Sequence, residues 1–132
     1  MSCAKRSVAP LALAMGLLSA AALAQDAVDP KEAQLAFNNH CRQCHTTKAG
    51  DNRLGPSLHG VVGREAGTAP GFGYSTAMKN ADLVWTEENL DRYIENPEAV
   101  VPGNRMKPYS GIADPAERAK IIAHLTAESD GQ

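Results

Sequence analysis

Cysteine is scarce in this chain. Three of the 132 residues are cysteine, and one of them, Cys3, precedes a run of apolar and small residues at 11–21. Only Cys41 and Cys44 follow that run. The framework of several disulfides that braces many small exported domains is therefore excluded. Aromatic residues are also few: Phe37, Phe72, Tyr74, Trp85, Tyr93 and Tyr109 are the whole set. A domain with so thin a core needs some other staple. Excess positive charge is missing too. A formal net charge of −2 argues against a nucleic-acid partner, because gripping phosphates takes a basic surface. Nor does any stretch show the apolar and polar alternation of a half-buried strand.

What is present begins with an export signal. Lys5 and Arg6 form a positive start, the apolar run follows, and Ala22-Leu23-Ala24 supplies the small-x-small pattern read by a signal peptidase. Cleavage is expected after Ala24, leaving 25–132 as one domain with no membrane span. The alternative is an uncleaved anchor, since residues 8–24 number 17, the lower edge of a bilayer span. Pro10 and the alanine-rich composition make that a weak helix for lipid. Cys3 is not placed like a lipidated cysteine and should leave with the signal. All 15 acidic residues follow residue 24, whereas two of the 13 basic ones precede it, so the domain carries 11 basic residues and a formal charge of −4.

Three helices announce their starts. Asp29-Pro30-Lys31-Glu32 combines a capping Asp, a first-position Pro and a Glu three residues after the cap. Ala33, Ala36, Phe37 and His40 then recur at helical spacing and run into Cys41. Asp114-Pro115-Ala116-Glu117 repeats the device ahead of Ile121, Ile122 and Leu125. Between them, Trp85 and Leu90 flank a capping Thr86 as a hydrophobic staple. The helix that follows carries Leu90, Tyr93 and Ile94 on one face and stops before Pro97. The fold class is all-α.

Two stretches do not fit a helical domain. Residues 50–74 hold seven glycines together with Pro56 and Pro70, and residues 97–109 are also irregular. Long structureless loops inside a small domain are rare unless they are functional. A cofactor wrapped by these loops resolves the conflict, because glycine lets backbone approach a flat ligand closely. The cofactor would then supply the missing core.

Cys41-Arg42-Gln43-Cys44-His45 identifies it as haem. Two thiols three residues apart on a helical turn can add to the two vinyl groups of a haem, with His45 then lying beneath the iron as a ligand. A thioredoxin-like redox pair would need a strand-helix setting and gives His45 no role. A zinc site would need a further ligand cluster, and no second cysteine pair exists.

Around this motif the chain resembles the mitochondrial-type class I cytochromes c, including the related soluble carriers of purple and acetic-acid bacteria, over residues 29–125. Gly55-Pro56-Ser57-Leu58-His59-Gly60, Gly63-Arg64, Gly71-Phe72-Gly73-Tyr74-Ser75, Trp85, and Tyr93 through Asn96-Pro97 match in order and spacing. Val101-Pro102-Gly103-Asn104-Arg105-Met106 resembles the family's distal-ligand segment, which implies Met106 as the second axial ligand. Met78 is the rival methionine, with packing as its alternative role. His40 adjoins Cys41 and cannot reach the opposite face, and His59 and His124 fit surface or packing positions. The resemblance further implies that Arg64, Tyr74, Ser75 and Trp85 satisfy the haem propionates. It implies that the Pro56 carbonyl accepts from His45 Nδ1, and that Leu58 and Tyr93 line the pocket, Tyr93 near the Met106 sulfur. Phe37, Ile121 and Leu125 should join the first and last helices. This sequence departs from the family at Asn104, commonly a threonine, at Met78, often an asparagine, and at Glu98-Ala99, a lysine pair in mitochondrial members.

These residues imply one covalent haem c with its iron, and no enzyme. A His/Met iron has no vacant position, so the expected function is a periplasmic, monomeric electron carrier. It would pass single electrons between redox proteins such as membrane electron-transport complexes or a periplasmic dehydrogenase or oxidase. A haem enzyme or gas sensor would need an open distal position, and a tightly held cytochrome subunit of a larger complex is the third alternative.

Overall fold

A side-chain oxygen opens each helix among the residues that the computed structural model describes, 27–131. The export signal, Cys3 and the cleavage point after Ala24 lie outside those residues. Helix α1 (Pro30–His40) starts at Asp29, whose carboxylate accepts from Lys31 N at 2.8 Å and Glu32 N at 3.3 Å. Pro30 sits at the first helical position, where its missing N–H leaves no bond unmade. The short α2 (Thr76–Lys79) is capped by Ser75, and α3 (Glu87–Glu95) by Thr86, which accepts from Asn89 N at 3.1 Å. Asp114 caps α5 (Pro115–Asp130), again with Pro at its start. All three expected helices are present. The stretch from residue 97, expected to be irregular, opens instead with one helical turn, α4 (Pro97–Val100). Asn96 both ends α3 and caps α4, accepting from Ala99 N at 3.2 Å.

The last helix organises the others. Helix α5 packs on α1 and α3, and α4 packs on α3. Ile121 is fully buried and Leu125 nearly so, in one cluster with Ala36 and Phe37 of α1. His124 lies against the Phe37 ring at 4.8 Å between centroids, which makes it a packing residue. The expected contact of Phe37, Ile121 and Leu125 is therefore the frame of the fold. Sequence reading did not find its polar partner. Arg118 is buried on α5 and clasps Asp91 of α3, with Nε to Oδ1 at 2.7 Å and Nη2 to Oδ2 at 3.4 Å. Its Nη1 donates to the carbonyls of Ile112 and Ala113, both at 2.9 Å. Every arm of the buried guanidinium is engaged, as a charge taken out of water requires. The Asp91 bond holds its pKa above the ordinary value, against the opposing effect of burial.

Residues 50–74 form a loop on this frame, and most of its glycines serve turns. Five of the seven, at 50, 60, 63, 67 and 71, hold positive φ, so the path of the backbone is a second reason for glycine at these places. Gly67 shows the physical reason. At φ +74° a Cβ would stand 2.8 Å from the Met78 carbonyl, so only glycine lets the loop pass α2. The loop is tied to the start of α3 by Gly63 N to Trp85 O and Trp85 N to Arg64 O, both 2.9 Å, and Ala66 N to Leu83 O, 2.8 Å. These form the one isolated antiparallel bridge, Glu65 with Val84, among the described residues.

Ile121→Ala should lower stability by about 3 kcal/mol and Ile121→Val by about 1 kcal/mol, the usual costs of a cavity at a fully buried site. Chemical denaturation of the purified protein measures both. Equal, small losses would show that α5 does not hold the frame.

Candidate functional site

The five-residue motif occupies the turn that ends α1. Cys41 N still bonds to Phe37 O at 2.8 Å, and both Cys44 N and His45 N bond to Cys41 O, at 3.0 and 2.9 Å. This turn sets the two thiols and the imidazole on successive corners of one short segment. Both cysteines are half-buried and unpaired. Burial, with a smaller contribution from Cys44, pushes the Cys41 thiol up to about 12, the opposite of the lowered pKa that a redox-active thiolate pair uses. Among the described residues no three His, Cys, Asp or Glu side chains converge into a cage, so the geometry offers no tetrahedral zinc set either.

His45 is buried, and its Nδ1 lies 2.8 Å from the Pro56 carbonyl. A carbonyl oxygen only accepts, so Nδ1 carries the proton and the lone pair sits on Nε2. Burial holds the imidazole pKa below its ordinary value, opposed in part by the Pro56 bond, so the ring is neutral and ready to ligate. The approach of the loop to this ring depends on Gly55. A Cβ there would run into His45 Cε1 and stand 2.7 Å from both ring nitrogens. Gly55 N also donates to Cys44 O at 2.8 Å. Here glycine does serve close approach, to the His45 ring.

A polar scaffold holds this loop, and sequence reading missed it. Asn52 accepts from Ser57 N and donates to Pro70 O, both at 2.9 Å, while Ser57 Oγ reaches Lys48 O at 2.5 Å. The local signal was an Asn and a Ser flanking Arg-Leu-Gly-Pro, residue types that bond to nearby backbone. His59 Nδ1 lies 3.2 Å from Thr47 O, which fixes that ring as part of the scaffold.

The remaining expected residues border one apolar cluster. Trp85 and Tyr93 lie inside it, edge to face at 4.9 Å, and Cys41, Leu58, Tyr74 and Met106 pack against it. Met78 is buried within the cluster, which fits its packing role. Burial, then Glu98, pushes the Tyr93 hydroxyl up to about 12. Tyr74 accepts from Ala69 N at 3.2 Å and Ser75 accepts from Met78 N at 3.1 Å. Each hydroxyl keeps its hydrogen to donate.

Arg64 provides the test of fit for an anionic cofactor. Its Nη1 and Nη2 donate to His59 O at 2.8 Å and Ser57 O at 3.1 Å. Its Nε is buried, and no hydrogen-bond partner among the described residues reaches it. An unmatched guanidinium N–H is costly unless an acceptor arrives, and a haem propionate is such an acceptor. The residues fit the group.

Comparison with known proteins agrees. The family model Cytochrome c matches residues 30–127. Cytochrome c2 of Rhodopila globiformis is 48% identical over 97 residues, 74% of this chain and 91% of the relative. Cytochrome c2 of Rhodomicrobium vannielii is 45% identical over 111 residues, 81% of this chain and 85% of the relative. Among solved structures, cytochrome cH from Methylobacterium extorquens superposes with a TM-score of 0.68 at 37% identity, covering 75% of this chain and 98% of that one.

Gly55→Ala should force the His45 ring off its position and lower stability by about 2 kcal/mol, the scale of an overpacked buried site. Thermal melting reads the stability, and the His45 Nδ1–H resonance in NMR reads the bond to Pro56. An unshifted resonance and an unchanged melt would show that the loop has room beside the ring.

Proposed function

This chain belongs to the cytochrome c family as a class I member, and on that premise we propose how its own residues carry out electron transfer. A class I cytochrome c holds one covalent haem c with its iron and exchanges electrons with redox proteins; it is not an enzyme. Haem iron supplies a one-electron couple between ferric and ferrous states. In this chain Cys41 and Cys44 would hold the haem covalently, His45 Nε2 and the Met106 sulfur would ligate its iron, and Arg64 Nε, Tyr74, Ser75 and Trp85 would satisfy its propionates. The Pro56 carbonyl keeps the imidazole in its ligating tautomer. Leu58 and Tyr93 exclude water from the pocket, and a soft thioether favours the ferrous state and raises the potential. The observation that carries the reading is the buried His45 ring, with Nδ1 fixed on Pro56 at 2.8 Å and Nε2 left to ligate.

The export signal supports a periplasmic location, reached after cleavage behind Ala24. Among the described residues no helix is long and apolar enough to cross a membrane. The working form is a monomer that docks through the exposed haem edge.

The assignment is tested on the haem-loaded protein. Intact mass should show one haem, and changing both Cys41 and Cys44 to Ala should abolish it. The ferric wild type should show a sulfur-to-iron charge-transfer band, which Met106→Ala removes while admitting carbon monoxide to the ferrous form. A band that survives Met106→Ala and disappears in Met78→Leu would reassign the ligand.

Docking follows from the surface charge. Gln34, Leu35, His40, Glu98, Ala99, Ala113 and Asp114 are exposed where lysine-rich relatives carry their ring, as are Arg42, Arg53, Arg105 and Lys107. Arg53 Nη2 lies 3.2 Å from Asp51 and Lys107 Nζ 3.8 Å from Glu98, so two of these four cations are offset locally. A partner with a weakly charged docking patch fits this surface, held mainly by apolar contact. Electron transfer to the native acceptor should change by less than about threefold between ~0.02 and ~0.2 M salt, where the Debye length shrinks from roughly 20 to 7 Å. A steep fall with salt, abolished by neutralising Arg53 and Arg105, would show that the arginines steer.

A further inference from the structure

The segment that brings Met106 to the site enters the core at Val101 and touches it again at Met106, and the residues between those two points have no apolar side chain in the core. Pro102, Gly103 and Arg105 are exposed, and Gly103 sits at φ +83° with only the Ala77 methyl near the place of a Cβ. What holds this middle part is polar, and it converges on Glu98 in the single turn of α4. Glu98 Oε1 accepts from Gly103 N at 2.9 Å, and Oε2 accepts from Asn104 Nδ2 at 3.1 Å. Asn104 is buried. It passes the constraint on, because its Nδ2 also donates to Val101 O at 3.0 Å and its Oδ1 accepts from Met106 N at 3.0 Å. One carboxylate thus grips the turn directly at Gly103 and reaches the Met106 backbone through a single buried amide.

Resting on the reading of Met106 as the distal ligand, we propose that Glu98 is a positioning residue that clamps the 101–106 segment to α4 and so sets how firmly Met106 stays on the iron. Three observations separate this from a surface charge that happens to lie nearby. The carboxylate engages two donors from the one segment, and both bonds are charge-assisted. Asn104 is one of the few buried polar side chains, and without Glu98 one of its amide hydrogens is left without this acceptor, a costly state away from water. The ion pair with Lys107 is long, at 3.8 Å, and joins side chains 68% and 55% exposed. An exposed pair of that kind contributes little, so the clamp lies in the hydrogen bonds.

The test uses the haem-loaded ferric protein and imidazole as the probe, at concentrations where entry is limited by release of Met106. Glu98→Ala should raise the entry rate about tenfold, the scale of losing two such bonds at a partly exposed site. Glu98→Gln, which keeps one acceptor, should raise it about threefold. Hydrogen exchange at the Gly103 amide should speed up by similar factors. Glu88→Ala removes an equal charge from exposed α3 and should leave both readings unchanged. Ile121→Val weakens the frame without touching the clamp and should also leave them unchanged. The clamp is overturned if Glu98→Ala stays within twofold of wild type, or if Glu88→Ala gives the same acceleration. Absence of the charge-transfer band in wild type would instead overturn Met106 as the ligand, and the clamp on it with that reading. A normal band with an unaltered entry rate overturns the clamp alone.

Discussion

The hydrogen bond from His45 Nδ1 to the Pro56 carbonyl joins the two parts of the chain that make the site. One partner stands on the turn that ends α1, the other in a loop with almost no regular structure, and they meet at 2.8 Å. The bond fixes the tautomer and plane of the ring, and it fixes the loop against the motif. The rest of the loop is built outward from there. Gly55 closes on the ring because it has no Cβ, and Asn52 and Ser57 secure the turn on either side. Arg64 reaches back to Ser57 and His59 with two arms, while its own backbone pairs with Trp85. Through Trp85 the loop contacts Tyr93 and so α3.

That chain of contacts needs a frame that does not move, and α5 supplies it. The apolar contact of Ile121 and Leu125 with α1 gives the frame its stability, since apolar burial is the main favourable term in folding. The Arg118 fork gives it direction. It bonds to Asp91 on α3 and to two carbonyls of the segment entering α5, so the three elements meet in one arrangement. The carbonyl end of α3 is finished from outside as well. Tyr109 Oη donates to Ile94 O at 2.6 Å and Ile112 N to the same oxygen at 3.0 Å, which satisfies an acceptor the helix leaves open.

The parts of this structure written in local chemistry were legible in the sequence. Asp29, Thr86 and Asp114 announce helices because a cap works within four residues, and Cys41-Arg42-Gln43-Cys44-His45 announces its chemistry because the reaction needs that spacing. The apolar meeting of Phe37 with Ile121 and Leu125 followed from helical periodicity. Arg118 with Asp91 was not legible, since nothing local distinguishes a buried arginine from a solvated one until the fold brings its partner from 27 residues away. A second reason for most loop glycines was not legible. Their positive φ depends on the path of the backbone, and the closeness of Gly55 to the His45 ring appears only in the fold. The short α4 was hidden because a proline after a helix signals an ending, and here Asn96 turns the ending into a new start.

Glu98 shows how an exposed charge can also fix the backbone beside it. By sequence it is a departure from a lysine at a docking edge, a change of sign in a field that a partner senses. In the fold its two oxygens are turned onto Gly103 and Asn104, and its distant contact with Lys107 offsets a cation that would otherwise face outward. One substitution therefore acts on two properties at once. It lowers the net positive charge of that surface, and it holds the middle of the loop, where Pro102, Gly103 and Arg105 are exposed between the apolar contacts of Val101 and Met106. A lysine at the same place could do neither. It has no acceptor for the Gly103 amide, and the buried Asn104 would turn its donors toward another donor. Asn104 and Glu98 are thus a matched pair: without the carboxylate, one hydrogen of the buried amide loses its acceptor while its bonds to Val101 and Met106 remain.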